Sequence, residues 1–282
     1  MKKILITGAS GLLGKHFIHA FSKVYDITAI CFARPAYYEN EVKWLKLDLR
    51  DKQSLEALKS IQYDYILHLA AMTHPEECEK YNKESFNINV EVTKMITELA
   101  MQQKAKLVFT STDLVFDGDN ANYSEEDEIN PRSYYAEHKA MGEEYIRFHY
   151  PGSLVLRLSV QLSKVFEQGF YFDIMNRLKN KEALNVFSDE YRSFTFASYT
   201  VRVMQQLINQ SGLYHLAMEG GCSRSELTYD MANKYQLDSA MIKEISKSSM
   251  LFKAFRPKDT RLKLDKLRAA LHEEVPLLKD EI

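Results

Sequence analysis

Tyr135 and Lys139 stand four residues apart in a segment of helical apolar spacing, so both side chains share one helix face. In a chain with 17 tyrosines that spacing carries little by itself. Its position carries more. It follows a strand-like run, Leu107 to Thr110, whose carboxyl end reads Thr110-Ser111-Thr112-Asp113. A phenol with a pKa near ~10 is a poor acid or base at neutral pH. An ammonium ~5 Å away, at an effective dielectric of ~20, favours the phenolate by about 3 kcal/mol, or ~2 pKa units. The pattern predicts a Tyr135 that exchanges a proton near neutral pH, a Thr112 that hydrogen-bonds the reacting oxygen, and a Lys139 that supplies charge. An ordinary helix aromatic beside a solvated lysine would have the same spacing, so a second motif has to decide.

That motif opens the chain. Ile4, Leu5 and Ile6 read as a buried strand, and Gly8, Gly11 and Gly14 then lead into a helical pattern of Leu12, Leu13, Phe17, Ala20 and Phe21. Strand, glycine turn and helix in that order suit a dinucleotide pyrophosphate. Gly8 permits the turn, Gly11 lets the backbone approach the phosphates, and Gly14 lets helix pack on strand. Ser10 and Leu12 flank the approach, and the helix start offers free N–H groups to the anion. Lys2 and Lys3 resemble the start of a signal peptide, but the glycines interrupt any apolar stretch behind them. The two motifs together predict hydride transfer from a nicotinamide with Tyr135 as proton donor. Beyond the second strand the chain reads Cys31-Phe32-Ala33-Arg34, with no carboxylate until Glu39. Arg34 suits a ribose 2′-phosphate better than a hydroxyl, which favours NADPH, with NADH as the alternative.

These residues need a parallel sheet to carry them. Strands are expected at Ile27–Phe32, Trp44–Leu47, Tyr65–Leu69, Leu107–Thr110 and Leu154–Leu158, with helices at 54–60, 84–103 and 135–149 between them. Near-continuous apolar strands separated by helices indicate an α/β, Rossmann-type doubly wound sheet. After about residue 160 helices fit 171–180, 196–209, 225–236, 239–245 and 263–271, which reads as a smaller, helix-rich substrate lobe. The division expected is a dinucleotide-binding unit over 1–160, with 184–214 returning to it, and a substrate lobe from 161–183 and 215–282. A net charge of −2 and a pI near 6.5 give no polyanion-binding surface, so nucleic acid is not an expected partner. Three cysteines without ligand spacing suit a reducing cytoplasm, and eight scattered histidines form no metal motif, so no metal is expected. No apolar run reaches the ~20 residues of a membrane span.

Taken together, TGASGLLG (7–14), HLAAMT (68–73), FNINVEVT (86–93), STDLVFDG (111–118), YSEEDEINPRSYYAEHK (123–139) and RPKDTRLKLDKL (256–267) resemble the extended short-chain dehydrogenase/reductases. Within them, the likeness is to the dTDP-4-dehydrorhamnose reductases. The resemblance implies catalytic roles for Thr112, Tyr135 and Lys139, and places Asp48, with Leu49, near the adenine. It places Ala70 and Ala71 along the cofactor path and makes Asn89 a structural asparagine. It implies a nucleotide-sugar substrate, a cytoplasmic setting and a homodimer. Thr73, His74, Asp113 and Val160 would edge the sugar site, and Arg192 resembles an arginine on the substrate diphosphate. Arg256 with Lys258 is a second basic spot usable for that anion.

The chain departs from the family's pattern at several of these positions. Tyr135-Ala136-Glu137-His138-Lys139 keeps only the ends of the usual Tyr-Gly-x-Ser-Lys. Leu114 stands where a tyrosine is usual and Val160 where a tryptophan is. Two other functions fit the pattern. One is a nucleotide-sugar epimerase or dehydratase, although Asp113 followed by Leu114 lacks the Asp-Glu pair of dehydratases. The other is a non-catalytic NADP-binding regulator, like the β subunit of methionine adenosyltransferase.

Overall fold

The computed structural model describes residues 1–32 and 41–282. Seven strands form one parallel sheet: β1 (Lys2–Thr7), β2 (Tyr25–Cys31), β3 (Lys43–Lys46), β4 (Tyr65–His68), β5 (Lys106–Thr112), β6 (Leu154–Leu158) and, after four short strands, β11 (Gly212–Leu216). The spatial order is β11-β6-β5-β4-β1-β2-β3, every pairing parallel. The strand order reverses between β1 and β4, the place where an open α/β sheet leaves a crevice at its carboxyl edge. The expected doubly wound fold is present.

Alternate strand residues feed two cores, as the two-residue side-chain period requires. Ile4, Ile6, Leu67, Val108 and Leu156 join one layer with Phe17 and Ile18 of α1 (Leu12–Phe21) and Val203 and Met204 of α8 (Ala197–Gln206). Leu5, Ile66, Leu107, Phe109 and Val155 join the other. Its helices are α5 (Val92–Gln103), contributing Ile96 and Leu99, and α6 (Tyr134–His149), contributing Ile146. Between α1 and α5 lie α2 (Lys52–Lys59), α3 (Pro75–Lys80) and α4 (Asn82–Phe86). Gly14 is what lets the first turn of α1 close against the turn that follows β1. A Cβ there would lie 2.6 Å from Ala9 Cα and 2.6 Å from its carbonyl oxygen. Gly14→Ala is expected to cost about 1–3 kcal/mol, read as an earlier midpoint in urea unfolding. An unchanged midpoint would mean that α1 backs away freely.

The sequence places the six expected strands to within two residues at their starts, but the seventh is missed. GLYHL lies between a helical pattern and a Gly-Gly break, and only its pairing with β6, Gly212 to Leu154 through Leu216 to Leu158, makes it a strand. A second correction is the helix expected at 239–245. Asp238 caps a 3₁₀ turn, Ser239–Met241, and Ile242–Ile245 is a strand, β13. It pairs in parallel with β8 (Leu184–Phe187). Pairing with a strand nearly sixty positions earlier cannot be read from a seven-residue window.

The segment 184–214 divides. β8 pairs with β13 in the C-terminal part, whereas α8 packs on α1 and β11 closes the main sheet. The remaining short strands tie the C-terminal residues to the sheet's carboxyl edge. β7 (Val160–Leu162) pairs with β10 (Phe194–Phe196), and β9 (Tyr191–Arg192) pairs with β12 (Cys222–Ser223). Two further helices, α7 (Phe170–Lys179) and α9 (Arg224–Lys234), pack against these strands. Ser223 and Glu226 form a reciprocal capping box that starts α9 directly after β12, so Arg224 is fixed at its first turn. Among the described residues no helix is long and apolar enough to cross a membrane.

Candidate active site

A cleft of about 1230 Å³ runs along the carboxyl edge of the sheet, roomier than the ~300–1,000 Å³ usual for one small ligand. Gly8, Ser10, Gly11, Leu12 and Gly14 line it from the end of β1, Asp48 and Leu49 from beyond β3, and Ala70, Ala71, Thr73 and His74 from beyond β4. Thr112 and Asp113 reach it from β5, Tyr135 and Lys139 from α6, and Val160, Arg192 and Arg256 from the C-terminal side. The site positions named from the sequence thus meet in one crevice, except Lys258 and the structural Asn89, which do not line it, and Arg34, which lies outside the described residues with Glu39.

The glycine turn is shaped for an anion. Gly8 has φ +66°, and a Cβ on it would lie 2.6 Å from Ala70 N. Gly11 is the N-cap of α1 and offers no capping side chain, and the first turn carries no acid. The leading N–H groups of α1 therefore face the cleft without a side-chain acceptor, beside the positive end of the helix dipole. These residues fit a pyrophosphate. Nearer the third strand, Asp48 takes a bidentate guanidinium from Arg50, Nε at 2.9 Å and Nη2 at 2.7 Å, which holds its carboxyl below the usual range. Arg50 lies over the exposed Phe32 ring, 5.3 Å from its centroid.

Thr112, Tyr135 and Lys139 come together, but the electrostatics differ from expectation. Tyr135 is half-buried, and burial pushes its phenol well above the ordinary value. Hydrogen bonding to Thr112 works against that shift, while the Asp113 charge adds to it. Lys139 does not hold the phenol down, because its own proton is loosened first. Burial lowers it to about 7, with Glu143 opposing. Its Nζ sits over the Phe109 ring, 4.0 Å from the centroid. An ammonium holds a neighbouring phenol's pKa down only while it is itself charged; in a site this dry the charge has to be supported before it can act.

Of the residues that support these groups, the sequence marked only Asn89. A turn of π-helix, Asn87–Glu91, sits between α4 and α5. Asn89 on that turn clamps the backbone of Met72, accepting from its N–H at 2.9 Å and donating to its carbonyl at 3.0 Å. Such local π turns recur at functional sites. Beneath them lies His68, buried at the end of β4, between Thr7 Oγ1 at 2.8 Å and Thr93 Oγ1 at 3.0 Å. Thr93 donates to Asn89 O, so it accepts from His68 Nε2–H. Thr7 in turn accepts from Ala70 N–H and donates to His68 Nδ1. This assignment leaves the imidazole neutral. Burial, with Lys139 nearby, lowers its pKa to about 3.

The unfolded histidine binds a proton near 6.5 and the folded one does not. Its contribution to stability is therefore complete above pH 6.5 and lost progressively as pH falls toward 3. At pH 5 the loss should be about 2 kcal/mol, visible as a falling melting temperature. His68→Gln should flatten that acid dependence, and an unchanged slope would assign it elsewhere.

Asp113, expected to touch substrate, instead has both oxygens engaged inside the protein. Oδ1 takes Arg192 Nη2 at 2.7 Å and Thr112 Oγ1 at 3.3 Å, and Oδ2 takes Ser159 Oγ at 2.9 Å and Thr260 Oγ1 at 2.7 Å. Four partners exhaust a carboxylate's acceptor sites. Arg192 is thus buried, not a surface cation, and reaches Glu190 at 3.5 Å. Arg224, which no sequence signal marked, approaches Glu190 at 3.4 Å and lies over the Phe170 ring. With Arg256, three guanidiniums on the cleft wall face two buried carboxylates. Arg192 Nε and Arg256 Nε have no hydrogen-bond partner among the described residues. Glu76, on α3, accepts from Lys253 N and Ala254 N at 3.1 and 3.2 Å, which pins the segment carrying Arg256 to the first turn of that helix.

Leu114 and Val160 line the same cleft, so the two family departures lie on its wall. Among the described residues no cluster of histidines, cysteines and acids could hold a metal ion.

Known proteins resemble the chain over nearly all of its length. Methionine adenosyltransferase 2 subunit beta of Danio rerio is 26% identical over 280 residues, covering 94% of this chain and 84% of its own. The dTDP-4-dehydrorhamnose reductase of Aggregatibacter actinomycetemcomitans is 25% identical over 287 residues, covering 96% and 93%. In fold, the dTDP-4-dehydrorhamnose reductase of Bacillus anthracis, solved in complex with NADP, superposes with a TM-score of 0.88 at 24% identity. That alignment covers 99% of this chain and 97% of that one. The family profile described as the RmlD substrate binding domain matches residues 1–282, and the chain belongs to that family.

Proposed function

We propose that the protein is an NADPH-dependent reductase of the 4-keto group of a nucleotide-linked deoxysugar. The observation that carries this reading is the meeting of Thr112, Tyr135 and Lys139 in the cleft that also holds the glycine turn. The NADP bound to the Bacillus anthracis relative supports the choice of cofactor, with NADH the alternative. Gly8, Gly11 and the start of α1 would take the pyrophosphate, and Lys139 the nicotinamide ribose. Bound there, the nicotinamide supplies a hydride to the carbonyl carbon. The protein's share is the proton. A phenol pushed upward in pKa arrives protonated, and an oxygen gaining negative charge is a stronger base than phenolate. Tyr135 therefore donates to that oxygen while Thr112 orients it by hydrogen bonding. Arg192, Arg224 and Arg256 would take the diphosphate, as paired guanidiniums suit phosphate oxygens.

The test is loss of NADPH absorbance with a panel of nucleotide-linked 4-ketosugars, NADH run in parallel. Steady oxidation with at least one of them is expected. The likeness to a subunit of methionine adenosyltransferase favours a second reading, a dinucleotide-binding partner without turnover. NADPH binding with no oxidation across the panel would select it.

A further inference from the structure

Beside the reacting groups, α6 carries a buried charge to which the proposed reaction gives no part. Glu143 lies one helical turn beyond Lys139 on the same face, with its side chain 2% exposed. Its carboxylate grips Arg157 of β6, with Nε at 3.0 and 3.2 Å and Nη2 at 2.8 Å. Arg157 is equally buried, lies over the Phe116 ring at 5.1 Å, and leaves Nη1 without a hydrogen-bond partner among the described residues. A buried pair of this kind is weak support for stability, since apolar residues of similar volume often serve as well or better. Its placement one turn from Lys139 offers another reason for it.

Lys139 is itself 2% exposed and rests on a phenyl ring, where an ammonium has little solvation. The ionisable groups on the elements packed around it are few in their effect. His68 on β4 is neutral and, if protonated, would repel it. Cys78 on α3 and Asp113 beyond β5 act on Tyr135, and Glu98 on α5 acts on Tyr145. Glu143 is the charge that acts on Lys139. We propose that Glu143, fixed in place by Arg157, is a positioning residue that keeps Lys139 cationic in a site otherwise too dry to hold a charge. Arg157 orients the carboxylate; Glu143 then stabilises the ammonium through the helix face they share. The use of that ammonium, to hold the cofactor ribose and assist Tyr135, rests on the reductase reading. The coupling itself does not.

The experiment follows the Lys139 Cε resonance by NMR in the full-length protein labelled with ¹³C-lysine, assigned by its loss in Lys139→Arg. A midpoint near 7 is expected in the unaltered chain. Glu143→Gln is expected to lower it by about one unit or more, so that the cationic fraction at pH 7 falls from about half to about a tenth. The double variant Glu143→Met/Arg157→Met replaces the pair with apolar residues, which protects the fold, and should lower the midpoint similarly. A midpoint unmoved in either folded variant overturns the proposal. Fluorescence titration of NADPH gives a second readout. Affinity in Glu143→Gln should fall about fivefold at pH 7 and recover toward pH 5.5, whereas an equal loss at both pH values overturns the coupling. If the unaltered protein binds no NADPH, the reductase reading fails while the resonance still decides the role of Glu143.

Discussion

Tyr135→Phe is expected to lower the rate of NADPH oxidation with a nucleotide-linked ketosugar by about 10²–10⁴-fold. The affinity for NADPH should change less than threefold. The substitution removes one oxygen and leaves the ring, so α6 and the cleft wall keep their packing. On the proposed mechanism, what is lost is the proton that Thr112 helps to aim at the carbonyl oxygen. Hydride addition without a proton donor leaves an unprotonated alkoxide in a site where burial opposes charge. Turnover that survives Tyr135→Phe within tenfold would remove Tyr135 from the role of donor. Measuring both kcat and the NADPH dissociation constant separates a chemical loss from a binding loss.

Arg192→Met should have the largest effect on stability, a loss of about 3–5 kcal/mol, because it strands Asp113 and exposes the imbalance at Glu190. In a chain of this size that corresponds to a drop in Tm on the order of 10 °C. The cause is the uncompensated carboxylate. Asp113, with 0% exposure, would keep three hydroxyl partners and lose its one contacting cation. Pairing the change with Asp113→Asn removes the stranded charge and should restore more than half of the lost stability, a coupling that a double-mutant cycle reads directly. Affinity for the nucleotide diphosphate should stay weak in the double variant, since the guanidinium is gone from the cleft wall. Additive losses in the cycle would show that Arg192 and Asp113 do not act as a pair.

The parts of the site written in local spacing were legible from the chain alone. Gly8, Gly11 and Gly14 announce a turn by their spacing; the crowding at Gly11 and Gly14 is internal to one βα unit, whereas that at Gly8 comes from Ala70 beyond β4. Tyr135 and Lys139 share a face because four residues make about one helical turn. Thr112 points into the cleft because it ends a buried parallel strand. Six of the seven strands start within two residues of apolar runs, most of them buried on both sheet faces.

The sequence by itself therefore determined six of the sheet's seven strands, the glycine turn and the side chains proposed here to react. The tertiary structure decided their charge states and what holds them. Asp113 meets Arg192 and Thr260 across 79 and 147 positions of chain, His68 bridges strands and a helix, and β11 and β13 become strands only by pairing with β6 and β8. A proton's affinity depends on desolvation and on neighbours brought in by the fold, and neither is written in the spacing of residues along one helix. That is why Lys139, expected to lower the tyrosine's pKa, has its own lowered to about 7.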